Sequence, residues 1–143
     1  MSNNTEFLEL GIQFRTLMKR TSQEWNKRMI DNLTMSQYGI LYRLNISGMQ
    51  KVSELAESMC ITSGAITGVT DKLIAAGYAE RHRDEHDRRV VYVQITEAGK
   101  IMVQLMRERQ QETLSAFFEH LPLEDVQHLR RIFSKVLEQI NED

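Results

Sequence analysis

The densest chemistry in the chain lies in nine consecutive residues, Arg81-His82-Arg83-Asp84-Glu85-His86-Asp87-Arg88-Arg89, which hold four arginines, three carboxylates and two histidines. Two kinds of chemistry can be written on them. His82-Arg83-Asp84-Glu85-His86 spells H-x-x-E-H, a zinc-peptidase order that needs both histidines on one helix face, a third ligand and an open coordination position. Here the segment falls between two strand-like runs and among arginines that repel a dication, and His120 and His128 are the only other histidines. No metal site, no cofactor and no enzymatic activity are expected. The second chemistry is anion recognition. Asp87 stands two residues before Arg89, where a carboxylate can brace a guanidinium for insertion into a narrow, electronegative minor groove.

A second set of residues lies upstream. Thr62, Ser63, Gly64, Ala65, Thr67 and Gly68 crowd small and hydroxylated side chains into the first turns of a predicted helix. Only a helix with small side chains brings its axis close to major-groove base edges. Ser and Thr hydroxyls can then reach bases or phosphates, and Ala and Thr methyls can touch thymine.

The elements that would position these groups follow from periodicity and caps. Phe7, Leu10, Phe14, Leu17 and Met18 share one stripe of a long N-terminal helix. Thr34-Met35-Ser36-Gln37 spells a capping box, which predicts a helix from Met35 to about Leu44 with Ile40, Leu41 and Leu44 inward. After a turn over residues 45–50 and an extended Lys51-Val52, Ser53 is expected to cap a brief helix ending near Met59. Thr62 and Ser63 cap the next helix, Gly64 to Ala76, with Ile66, Val69, Leu73 and Ile74 inward and Gly77 at its left-handed end. Strands are predicted at Tyr78–Arg81 and Val90–Ile95, with the charged loop between them. Thr96 caps a further long helix carrying Ile101, Met102, Leu105, Met106, Leu114, Phe117 and Phe118. Pro122 opens a last helix striped by Val126, Leu129, Phe133, Val136, Leu137 and Ile140. Helix, turn, helix and a cationic hairpin make a winged helix-turn-helix. The expected fold is mainly α (α+β), with residues 1–33 and 101–143 as dimerisation helices around a DNA-binding lobe at 34–100.

Composition bounds the rest. The chain has 143 residues, 41% hydrophobic and 27% charged, which suits one helix-rich domain. A net charge of −2 gives the whole molecule no pull on phosphate, so local charge must supply it. The opening MSNNTEFLELGIQF has neither a basic leader nor a long apolar run, and a cytoplasmic protein with no membrane partner is expected. The single cysteine, Cys60, can build neither an internal disulfide nor a cysteine zinc site. Between Met59 and Ile61 it is expected to pack as a small buried side chain, whereas a redox sensor needs exposure and a lowered pKa. Met18, Met29, Met102 and Met106 are read as core.

Taken together, Val52-Ser53-Glu54-Leu55-Ala56-Glu57, Ile61-Thr62-Ser63-Gly64-Ala65-Ile66-Thr67, Asp71-Lys72-Leu73, Ala76-Gly77-Tyr78, Arg81, Asp87-Arg88-Arg89 and Ile95-Thr96-Glu97-Ala98-Gly99 resemble the signature of the MarR (multiple antibiotic resistance regulator) family over about residues 34 to 100. The resemblance implies a homodimer whose first and last helices intertwine, binding double-stranded DNA with a recognition helix in the major groove and a wing in the adjacent minor groove. Members are commonly repressors relieved by a small-molecule effector or by oxidants. By position, the resemblance places Ser53 and Lys72 on phosphates, and Thr62, Ser63, Gly64, Ala65 and Thr67 on bases or backbone. Asp87 would brace Arg89, with Arg83 and Arg88 as supplementary cationic contacts. Gly68 departs from the long basic or polar residue common in relatives, and Asp71 is expected to pair with a neighbouring cation. The alternatives are a redox-responsive regulator using Cys60 and a winged-helix protein-interaction module.

Overall fold

The computed structural model describes residues 2–141. Helix α1 (Ser2–Lys27) leads into a turn where Asp31 and Asn32 take positive φ, residue types that tolerate it. The capping box then forms as its spelling requires. The Gln37 N–H donates to Thr34 Oγ1 at 3.2 Å, and the Thr34 N–H donates to Gln37 Oε1 at 2.8 Å. Helix α2 (Met35–Ser47) runs past the expected end at Leu44 and stops at Gly48, whose φ of 75° favours glycine.

The next segment corrects the sequence reading. Gln50–Lys51 is a strand, β1, paired antiparallel with a later strand so that Gln50 faces Val93 and Lys51 faces Tyr92. Helix α3 (Val52–Ser58) therefore begins as soon as that pairing ends. Its capping residue is Lys51, whose N–H donates to Glu54 Oε2 at 3.2 Å. Ser53 is not the cap: it lies in the first helical turn with its side chain exposed.

Helix α3 ends in a Schellman motif. The Ile61 N–H donates to the Ala56 carbonyl at 3.1 Å and the Cys60 N–H to the Glu57 carbonyl at 3.2 Å, which places Cys60 in the left-handed position at φ 54°. The expectation of a buried cysteine is thereby overturned. A residue in that position turns its side chain out of the helix-turn-helix corner, and Cys60 is exposed. Helix α4 (Ser63–Ala75) follows, with the Ala65 N–H donating to Thr62 Oγ1 at 3.2 Å. It ends the same way: the Tyr78 N–H donates to the Leu73 carbonyl, the Gly77 N–H to that of Ile74, and Gly77 sits at φ 84°.

Strands β2 (Ala79–Arg83) and β3 (Val91–Ile95) pair antiparallel, and β1 lies on the other edge of β3. The first of these was expected at Tyr78–Arg81; pairing with β3 carries it on through His82 and Arg83. Thr96 caps helix α5 (Glu97–Phe118), with the Gly99 N–H donating to its Oγ1 at 3.1 Å while its hydroxyl donates to the Gly77 carbonyl at 2.7 Å. Gly99 allows this junction to close, since a Cβ there would collide with the Tyr78 carbonyl oxygen and the Ile95 side chain. Helix α6 (Leu123–Asn141) is the last described element. Among the described residues no helix is long and apolar enough to cross a membrane.

One core binds α1 to the lobe. Trp25 packs on Tyr38 with ring centroids 5.5 Å apart, beside Ile40, Leu41 and Leu44 of α2, Leu55 of α3, Ile66 and Leu73 of α4, Val93 of β3, and Met102, Val103 and Met106 of α5. Met102 and Met106 are core as expected and Met29 packs against it, but Met18 is exposed. Two apolar stripes also find no partner among the described residues. On α1, Phe7 is 70% exposed, with Leu10, Phe14 and Met18 on the same stripe also exposed; on α6, Phe133, Val136, Leu137 and Ile140 are exposed and no residue is fully buried. Ile101, Leu105 and Leu114 of α5 are likewise open.

Candidate nucleic-acid interface

The recognition surface starts from how α4 divides its residues. Ile66, Thr70 and Leu73 turn into the core, which leaves Thr62, Ser63, Gly64, Ala65, Thr67, Gly68, Asp71 and Lys72 exposed on the outer side. Thr70 can be buried because its hydroxyl donates to the Ile66 carbonyl at 2.8 Å, a back-bond that satisfies the hydroxyl inside the helix. Thr67 spends its hydroxyl proton similarly, on the Ser63 carbonyl at 2.9 Å, so its methyl and oxygen lone pairs face outward. A Cβ added at Gly64 or Gly68 would meet nothing within 4 Å. The chain itself leaves those positions clear.

The wing is shaped by side chains acting on its own backbone. Asp87 folds back on Arg89 through three contacts: Oδ1 accepts from Arg89 Nε at 3.0 Å, Oδ2 from Nη2 at 3.0 Å, and Oδ1 again from the Arg89 backbone N–H at 3.1 Å. A fork held at two nitrogens has a fixed plane. The Arg89 side chain is nonetheless 91% exposed, so it is not consumed by packing. The paired guanidinium, and after it the Arg89 backbone N–H, hold the Asp87 carboxyl below the usual carboxylate range. Arg83 Nη1 donates to the Arg88 carbonyl at 3.1 Å and ties the two sides of the loop.

An open groove of about 560 Å³ runs between α4, the start of α3 and the wing. Five of the residues singled out from sequence meet there: Ser53, Ser63, Thr67, Arg83 and Arg89. Thr62, Gly64, Ala65, Lys72, Asp87 and Arg88 are not part of its wall. Gly64, Ala65 and Lys72 lie elsewhere on α4, Thr62 caps it, and Asp87 and Arg88 belong to the wing loop. Sequence reasoning missed Lys51, which β1 pairing carries to the groove, and the partner of Asp71, which is Arg81 of β2. The Asp71–Arg81 pair lies ten residues apart on two elements that diverge after Gly77, so no local spacing announces it.

The metal-like spelling does not assemble. His82 lies on β2, where its Nε2 is 3.6 Å from Glu80 Oε2, while Glu85 and His86 lie in the loop beyond the strand, not on one helix face. Among the described residues no cluster of three histidine, cysteine or acidic side chains is placed to hold an ion.

A three-helix lobe with an exposed small-residue helix, a three-stranded sheet and a hairpin whose loop presents a braced arginine defines a winged helix-turn-helix protein of the DNA-binding type. The chain belongs to the MarR family: residues 33–91 match the model described as "MarR family". It is 30% identical over 122 residues to YpoP of Bacillus subtilis (strain 168), an uncharacterised helix-turn-helix transcriptional regulator, with 85% of this chain and 86% of that protein covered. The fold matches that of a cysteine-to-serine mutant of MarR from E. coli in complex with operator DNA, at a TM-score of 0.76 and 23% identity, over 92% of this chain and 96% of the other. It also matches Bordetella bronchiseptica BpsR, a protein whose DNA binding is regulated by 6-hydroxynicotinic acid, at a TM-score of 0.76 and 22% identity, over 90% and 98%.

Proposed function

We propose that this chain is a sequence-specific transcription regulator, a repressor that binds a pseudo-palindromic operator in duplex DNA as a homodimer. Helix α4 enters the major groove and the wing enters the adjacent minor groove. The observation that carries this reading is the Arg89 guanidinium, exposed yet held in a fixed plane by Asp87, on the opposite wall of one groove from Ser63 and Thr67. Ser53 and Lys72 contact phosphates, Thr62, Ser63, Gly64, Ala65 and Thr67 face bases or backbone, and Arg83 and Arg88 add cationic contacts at the loop. Residues 34–100 form the DNA-binding lobe, while 1–33 and 101–143 supply the dimer. The open stripes of α1 and α6 support that division, because helices this apolar on one face gain most of their stability from covering it.

No catalytic step belongs to this reading, and the protein acts in the cytoplasm. Control of BpsR by a small aromatic acid supports a small-molecule effector here as well. The test is selection of bound fragments from random duplex DNA. An inverted repeat with half-site centres roughly 34 Å apart, one helical turn, is expected. Recovery of no consensus, or of one without inverted symmetry, would count against it.

A further inference from the structure

Where a helix occupies one groove of a duplex and a wing the next, the sugar-phosphate ridge that separates the two grooves must pass between them. In this protein that passage is the groove between α4 and the wing. Its walls carry four cations, Lys51, Arg81, Arg83 and Arg89, against a single carboxylate, Asp71. Arg81 is already engaged: its Nη2 donates to Asp71 Oδ1, from β2 to the outer face of α4, with the two side chains 36% and 54% exposed. So half-open an ion pair contributes little to folding and can separate without unfolding the lobe.

We propose that Asp71 is a built-in counter-ion that holds Arg81 in the free protein, and that a backbone phosphate entering the groove takes Arg81 from it. The inference rests on the DNA-binding reading above and adds Arg81 to its contacts. A phosphate offers Arg81 the same two-oxygen geometry as a carboxylate. The released Asp71 carboxylate stays on the DNA-facing side of α4 and opposes the phosphates beside it. Asp71 therefore sets a ceiling on the electrostatic, sequence-independent part of binding. Arg83 and Arg89 differ from Arg81 in this respect. Their ties lie within the wing, Arg83 to the Arg88 carbonyl and Arg89 to Asp87, so neither arginine is held by a carboxylate of α4.

The experiment is a four-protein cycle: wild type, Asp71→Asn, Arg81→Gln and the double variant. Each is checked for fold and dimer by circular dichroism and sedimentation, then titrated on a selected duplex and on a random duplex across salt concentrations. Asp71→Asn should tighten both by on the order of tenfold near 0.15 M salt and steepen the slope of log affinity against log salt by about one. In the Arg81→Gln background the same substitution should gain clearly less, because it then relieves only the repulsion between Asp71 and phosphate and no arginine remains to be released. Equal gains in both backgrounds would mean that Asp71 only repels DNA, and the exchange would be wrong. Weaker binding by Asp71→Asn would make the pair a clamp that positions the wing, which also overturns the exchange. If wild type and every variant leave both duplexes unbound, the DNA-binding reading falls with it. If wild type binds and Asp71→Asn matches it, only this inference falls.

Discussion

Asp87 reaches Arg89 because the loop turns between them, and its lowered pKa gives the brace a direction in pH. The folded carboxyl titrates below its ordinary value, chiefly through the Arg89 side chain, so the brace is complete above the normal carboxylate range and fails only as pH falls through the depressed value. The neutral range leaves it untouched. Tyr78 titrates at the other extreme. Its phenol donates to Asp31 Oδ2, and that bond, then burial, then the Asp31 charge push its pKa from 10.0 up to about 12. The fold favours the neutral phenol, so its contribution is whole below pH 10 and is lost as pH rises through about 12. Tyr78→Phe should cost about 1 kcal/mol at neutral pH. It should also abolish the part of the alkaline stability loss that this phenol causes, as read from urea unfolding at a series of pH values. Parallel wild-type and variant curves up to about pH 12 would remove the tie to Asp31 from the energetics. Cys60 offers a sharper residue-level check. A non-glycine residue at φ 54° carries strain of about 1 kcal/mol, so Cys60→Gly should stabilise the protein by roughly 0.5–1 kcal/mol in chemical denaturation, whereas a loss of stability would mean the corner is held differently.

Helices α1 and α6 are the elements whose apolar stripes stand uncovered among the described residues. Deleting residues 122–143 removes α6 and its open stripe, and the expected outcome in sedimentation is a monomer with at least roughly tenfold weaker binding to a two-half-site duplex. A truncated protein that stayed dimeric, or footprinted both half-sites with unchanged affinity, would rule out this role for α6. Most element boundaries were legible because their signals are local. Thr34 and Gln37 sit three residues apart and make their two bonds whatever the rest of the chain does, and Thr62, Gly77 and Thr96 act over similarly short spans. What escaped the sequence is contact across distance. Strand β1 exists only because β3, far along the chain, offers its edge, and this pairing moved the cap from Ser53 to Lys51. The left-handed Cys60 was hidden for a different reason: the Schellman geometry selects the position, and glycine normally advertises it. The wing brace was legible, since Asp87 and Arg89 stand two residues apart; the Asp71–Arg81 pair was not, beyond the sense that Asp71 needed a cation.

At the scale of the whole molecule, a net charge of −2 and a DNA-binding role are compatible because four cations, Lys51, Arg81, Arg83 and Arg89, are gathered along one groove. The salt dependence of binding should therefore report a few particular side chains rather than total charge. Thr67 and Arg89 face the same groove but differ in what they can release. Arg89→Ala removes a cation and should weaken specific binding by about 1 to 3 kcal/mol, while Thr67→Ala should change which sequences are preferred. A hydroxyl displaces no counter-ion. The most direct measurement is the slope of log affinity against log salt for wild type, Arg89→Ala and Thr67→Ala on one selected duplex. Arg89→Ala should flatten that slope by about one unit and Thr67→Ala should leave it unchanged. A folded, dimeric Arg89→Ala protein with wild-type affinity and wild-type slope would contradict the central claim, because the wing would then not touch DNA.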